Sequence, residues 1–105
     1  MSDSPPKNAL PAIEREERGH RGAFYMDRDG ERLASLTFSA GPDGKIVMLD
    51  HTEVFAESLR GQGVARKLVE AAVDWARKTD VKLVAVCPFA KAIFDRVPEL
   101  REVLA

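Results

Sequence analysis

Leu59-Arg60-Gly61-Gln62-Gly63-Val64-Ala65-Arg66-Lys67-Leu68 is the stretch on which the reading of this chain turns. Two glycines separate an extended segment upstream from a helical pattern downstream. Glycine lets a backbone turn tightly and lets a ligand approach with no Cβ in the way. Downstream, Val64, Leu68, Ala72, Trp75 and Ala76 fall on one side of a helix running from Gly63 to about Lys78. Arg66 with Glu70, and Asp74 with Lys78, are opposite charges at i,i+4 on its outer side. Upstream, the run from Ile46 to Phe55 reads as a long strand. A strand–glycine–helix junction leaves N–H groups at the helix start without acceptors, and the helix dipole there favours an anion. Arg60, Arg66 and Lys67 add positive charge beside it.

Working outward, Ala23 to Met26 and Leu33 to Ser39 are strands, separated by the turn Asp27-Arg28-Asp29-Gly30. Gly41-Pro42-Asp43-Gly44 turns the chain again into the long strand. Beyond the helix, Val81 to Cys87 is apolar apart from Lys82 and fits a strand covered on both faces. Pro88 stops that strand and suits the first position of a helix over residues 89–96, which Pro98 ends. The expected fold is α/β (α+β): an antiparallel three-stranded meander, then a βαβ unit and a C-terminal helix on one mixed sheet. Residues 1–18, with three prolines and the run Glu14-Arg15-Glu16-Glu17-Arg18, read as a flexible tail. Ile13 is where a short edge strand could begin. Residues 19–105 form the compact domain.

The bulk properties bound the partners. The 105 residues allow a single domain with a thin core. Sixteen basic and 17 acidic residues leave a net charge of -1, which gives no general attraction to nucleic acid or to an anionic membrane. No apolar run approaches the ~20 residues that cross a bilayer. The first seven residues lack the apolar stretch of a secretory signal, so a cytoplasmic location is expected. One cysteine, Cys87, makes neither an internal disulfide nor a thiolate zinc cluster. Two histidines without neighbouring ligands give no metal site.

The glycine loop is not a P-loop, since no Gly-Lys-Ser or Gly-Lys-Thr follows. The dinucleotide pattern fails too, because Arg66 stands where a third Gly or Ala belongs. By itself the junction supports an anion site or a structural turn. The segment does resemble the Gln/Arg-x-x-Gly-x-Gly/Ala motif of the GNAT acetyltransferase superfamily, through Arg60, Gly63 and Ala65. The likeness continues from Asp50-His51-Thr52-Glu53-Val54 to Val86-Cys87-Pro88-Phe89, and it covers residues 20–105. It points to the short, single-domain GNAT-like branch. The resemblance implies a transfer of acetyl from acetyl-CoA to an amine acceptor. It puts the pyrophosphate of coenzyme A on the loop, at Arg60, Gly61, Gln62, Gly63, Val64, Ala65 and Arg66. It places the pantetheine against Val54 and Phe55, and the thioester near His51, Glu53 and Cys87.

Three residues carry the candidate chemistry. Cys87 ends a strand and precedes a helix, where a thiolate is stabilised; a small core residue is the other reading. In the short branch the resemblance points to this cysteine as catalytic. On a regular strand His51 shares a face with Val47, Leu49, Glu53 and Phe55. Its imidazole could take a proton from an ammonium acceptor or a thiol, with Glu53 orienting it or acting as the base. The alternative is a histidine satisfied by a backbone carbonyl. Phe94 stands where many superfamily members have a tyrosine that protonates the departing thiolate. Phenylalanine has no proton to give, so that task falls to Cys87 or water, and Phe94 packs against the cofactor or the core. The superfamily's usual extra helices and final strands have no counterpart here. The acceptor groove is therefore expected to be open, or completed by the acceptor or a homodimer partner. A non-catalytic acyl-CoA-binding module is the alternative function.

Overall fold

The computed structural model describes residues 10–105. The part of the expected tail that covers residues 1–9 lies outside the described residues. Five strands form one mixed sheet in chain order: β1 (Glu14–Arg18), β2 (Arg21–Arg28), β3 (Glu31–Ala40), β4 (Ile46–Val54) and β5 (Lys82–Ala85). The first four are antiparallel, and β5 runs parallel to β4. Helix α1 (Val64–Thr79) makes the crossover, and α2 (Pro88–Arg96) follows β5. The meander followed by a βαβ unit and a helix is thus as the periodicity reads.

The difference lies at the edges. Glu14–Arg18, expected as tail with a short edge strand that could begin at Ile13, is strand β1, paired residue by residue with β2 from Glu14↔Tyr25 to Arg18↔Arg21. Every one of its five residues is exposed, so no apolar alternation marks it. Ladder bonds and tethers hold it instead. Arg15 lies over the Trp75 ring at 5.1 Å, and Arg32 bonds Glu16 at 2.9 Å. Strand β5 has four residues rather than seven, because the last β4–β5 pair is Leu49↔Ala85. Its outer edge is partly covered by the end of the chain, where the Ala105 N–H donates to the Leu83 carbonyl at 2.9 Å.

Helix α1 buries Val64, Leu68, Val69, Ala72, Val73 and Ala76 against the sheet. Each fully buried Leu or Val side chain contributes about 1.5–3 kcal/mol relative to exposure. Trp75 is half-buried and completes a cluster with Phe24 and Phe38, whose ring centroids lie 5.8 and 5.6 Å away. On the outer side Arg66 and Glu70 pair at 3.6 Å, whereas Asp74 pairs with Arg77, one position before the expected Lys78, at 3.4 Å. Arg77 also reaches Glu102, which ties the helix to the C-terminal turn Pro98–Val103.

A bulge in β4 positions everything downstream. Thr37 pairs with His51, yet its neighbour Phe38 pairs with Leu49, so Asp50 is an extra residue. Val47 and Leu49 are buried before it, while His51 and Glu53 are exposed after it.

Candidate coenzyme-binding groove and thiol site

The sheet opens immediately after the bulge. The N–H groups of Val86 and Cys87 both donate to the Leu49 carbonyl, at 3.1 and 2.9 Å. Beyond that point β4 stays paired with β3 but has no strand on its β5 side, and α2 begins. The space between β4, the glycine loop and α2 is a groove of about 630 Å³. Thr52, Val54 and Leu59 line one side, and Arg60, Gly61, Gly63, Val64, Ala65 and Arg66 line the loop end. Phe89, Ile93, Arg96 and Val97 line the α2 side. Their spacing of i, i+4, i+7 and i+8 is one face of a helix. No carboxylate lines the groove, which holds three guanidinium groups.

The loop is built to expose donors. Gly61 and Gly63 both have positive φ, at 80° and 74°. A Cβ added at either would meet nothing within 4 Å, so the glycines serve the backbone conformation and leave the space above them open. Arg60 N–H donates to Glu57 and Gln62 N–H to Leu59, while Lys67 N–H takes up the helical ladder at Gly63. No backbone carbonyl among the described residues accepts from Gly61, Gly63, Val64, Ala65 or Arg66. These donors sit at the positive end of α1, a ready anion cradle.

Of the residues singled out in the sequence, Val54, Arg60, Gly61, Gly63, Val64, Ala65 and Arg66 thus share one groove. Gln62 does not line it; its side-chain amide donates to the Ser58 carbonyl at 2.6 Å. Phe55 does not either, and its N–H is taken by the Leu33 carbonyl at 2.8 Å. Phe94 is 2% exposed and belongs to the core, so it is enclosed by protein rather than facing the groove.

The catalytic candidates His51 and Glu53 pair with each other, and Cys87 pairs with Thr52. His51 Nε2 lies 2.9 Å from Glu53 Oε1, with both side chains exposed. The regular-strand expectation that His51 faces the same way as Val47 and Leu49 does not hold, because the bulge at Asp50 shifts the alternation. Thr52 and Val54 take the groove side instead. Cys87 is 4% exposed, and its Sγ lies 3.4 Å from Thr52 Oγ1. Burial pushes this thiol up, but bonds to the Thr52 hydroxyl and to the backbone N–H groups of Ala90 and Phe89 outweigh it, and the thiol lies below its ordinary value. No hydrogen bond between described residues joins the His51–Glu53 pair to the Cys87–Thr52 pair.

Thr52 was not singled out in the sequence, since on an unbroken strand it faces away from Val47 and Leu49. The α2 face was legible as a stripe, Phe89-Ile93-Arg96-Val97, had the short second helix been projected around its axis. Among the described residues no cluster of His, Cys, Asp and Glu could hold a metal ion. No helix is long and apolar enough to cross a membrane.

A mixed sheet that parts beside a glycine loop sets an anion cradle at the end of an apolar groove. Residues 23–103 match the family described as GCN5-related N-acetyl-transferase, and the chain belongs to that family. A ribosomal-protein-alanine N-acetyltransferase from Brucella melitensis biovar Abortus 2308 shares the fold, with a TM-score of 0.59 at 23% identity over 74% of this chain and 61% of its own. A putative GNAT family acetyltransferase from Staphylococcus aureus subsp. aureus has a TM-score of 0.52 at 18% identity over 64% of this chain and 56% of its own. The chain therefore spans less than two thirds of these structural relatives. No curated protein matches the sequence.

Proposed function

We propose that the protein is an acetyl-CoA-dependent N-acetyltransferase acting on an amine acceptor, in keeping with the family to which it belongs. The observation that carries this reading is the groove: free N–H groups and two guanidiniums at the loop end, a third guanidinium on the α2 side, apolar walls, and no carboxylate. That composition suits a polyanion joined to a long neutral arm. The loop from Arg60 to Arg66 holds the pyrophosphate, and the pantetheine lies along Val54 towards Thr52.

Two routes lead from there to product. In direct attack the amine nitrogen adds to the thioester carbonyl, the C–S bond breaks, and the amine proton passes through water to the departing thiolate, since His51 and Glu53 face away from the groove. In the two-step route the Cys87 thiolate displaces coenzyme A to give acetyl-Cys87, and the amine then displaces the cysteine sulfur. The contacts of Cys87 with Thr52 and the α2 N-terminus favour a thiolate and so support the second route. We place the activity in the cytoplasm, with the open side of the groove closed by the acceptor or by a second copy of the chain. Exposed Val84, Val86 and Phe89 would lie at such a contact.

Calorimetric titration with coenzyme A tests the binding claim; no heat at millimolar ligand overturns it. Incubation with acetyl-CoA and intact-mass measurement tests the route. An acetyl adduct on wild type but not on Cys87→Ala supports the two-step path. Thiol release with an amine acceptor at undiminished rate in Cys87→Ala selects direct attack. Binding with no thiol release across an acceptor panel would favour a non-catalytic acyl-CoA-binding module.

A further inference from the structure

We propose that Arg96 makes the groove selective for a ligand carrying a phosphate monoester beyond the pyrophosphate, namely the ribose 3′-phosphate of coenzyme A. The inference rests on the coenzyme A reading of this groove. Three guanidiniums line it, and they are not equivalent. Arg60 Nε is turned to the Val54 carbonyl at 3.4 Å, and Arg66 is shared with Glu70 at 3.6 Å. The Arg96 side chain makes no hydrogen bond or ion pair with any described residue. It projects from α2, not from the loop, and it stands seven residues after Phe89 on the same helix face. A helix rises 1.5 Å per residue, so these two lining positions lie about 10 Å apart along α2. That side of the groove therefore grades from an aromatic end near Cys87 to a cationic end. The loop N–H groups, the α1 dipole, Arg60 and Arg66 match the two charges of a pyrophosphate diester. Arg96 is charge left over, in a groove with no carboxylate to balance it. A phosphate monoester is a group that a free, forked guanidinium can hold through two parallel charge-assisted bonds.

A cation in the last turn of a helix also complements the helix dipole, and that role would make Arg96 a stability residue alone. Calorimetry with coenzyme A and 3′-dephospho-coenzyme A on the full chain separates the two. Wild type should bind coenzyme A about tenfold more tightly than the dephospho form, as a charge-assisted bond at an open site provides. Arg96→Gln should bind both with the affinity wild type has for the dephospho form. Arg96→Lys should keep part of the preference, which also covers the case in which Arg96→Gln fails to fold. Equal affinity of the two ligands for wild type overturns this inference and leaves the coenzyme A reading standing. A full preference in folded Arg96→Gln does the same. No binding of either ligand to wild type overturns both.

Discussion

Gly63 offers the sharpest separation of fold from ligand. It is the residue before α1, with φ 74° and ψ 20°, and open space lies where a side chain would go. Alanine there meets no atom but must adopt the left-handed conformation, which costs roughly 1–2 kcal/mol. For a domain of this size each kcal/mol moves the melting midpoint by about 4–8 °C. Glutamate carries the same backbone cost. Its carboxylate at the positive end of α1 offsets about 0.3–1 kcal/mol of it. Without ligand, Gly63→Glu should therefore melt no lower than Gly63→Ala. With ligand the order reverses. A carboxylate about 5 Å from one phosphate charge is repelled by about 3 kcal/mol at the effective dielectric of a protein surface. That is roughly a hundredfold in Kd. Gly63→Ala should lose far less. Thermal melts of the ligand-free variants and calorimetry with coenzyme A measure both quantities. Wild-type affinity in folded Gly63→Glu would refute the placement of the pyrophosphate on this loop.

Thr52→Val removes a group that lowers the Cys87 thiol, so the pH profile of cysteine alkylation should move upward, while Thr52→Ser keeps it in place. An unmoved profile in the valine variant would show that Thr52 does not act on the sulfur. Because the folded thiol lies below its ordinary value, its ionisation adds stability that is present above that ordinary value and lost as pH falls through the folded one. Wild type should accordingly gain stability over Cys87→Ala as pH rises through this window; denaturation midpoints that run parallel would count against it. Gly22→Ala would set a Cβ 2.4 Å from the Glu16 carbonyl oxygen and 2.4 Å from Phe38 Cζ. It should cost about 3 kcal/mol, the upper end for overpacking, in urea denaturation. A loss under about 0.5 kcal/mol would mean that β1 is not held as described.

What was legible in the sequence followed from periodicity. The α1 stripe gave the helix to within a residue at each end, since six buried positions repeat on one face. The glycine loop was legible because positive φ at a strand–helix junction calls for that residue type. Strand β1 was legible only as an edge strand that could begin at Ile13, because Glu14–Arg18 is formed by ladder bonds and charge contacts that leave no apolar pattern. Phe94 was only half legible: its position matched a site tyrosine, but an aromatic ring without a hydroxyl gains more from the core, where it lies. The wall of the groove was misread at Thr52 because an irregularity of one residue leaves no trace in composition or motif.

That extra residue has a consequence for how this wall tolerates change. Val47, Leu49, Thr52 and Val54 make one row, although the first two numbers are odd and the last two even. Asp50 takes no place in the count. A chain lacking residue 50 would alternate regularly and still present threonine and valine to the groove, with the imidazole and carboxylate turned away. The parity of the wall is thus insulated from a one-residue length change at this point. What the additional residue supplies is a bend, and it falls just past Leu49↔Ala85, where the pairing of β4 with β5 ends and the groove opens.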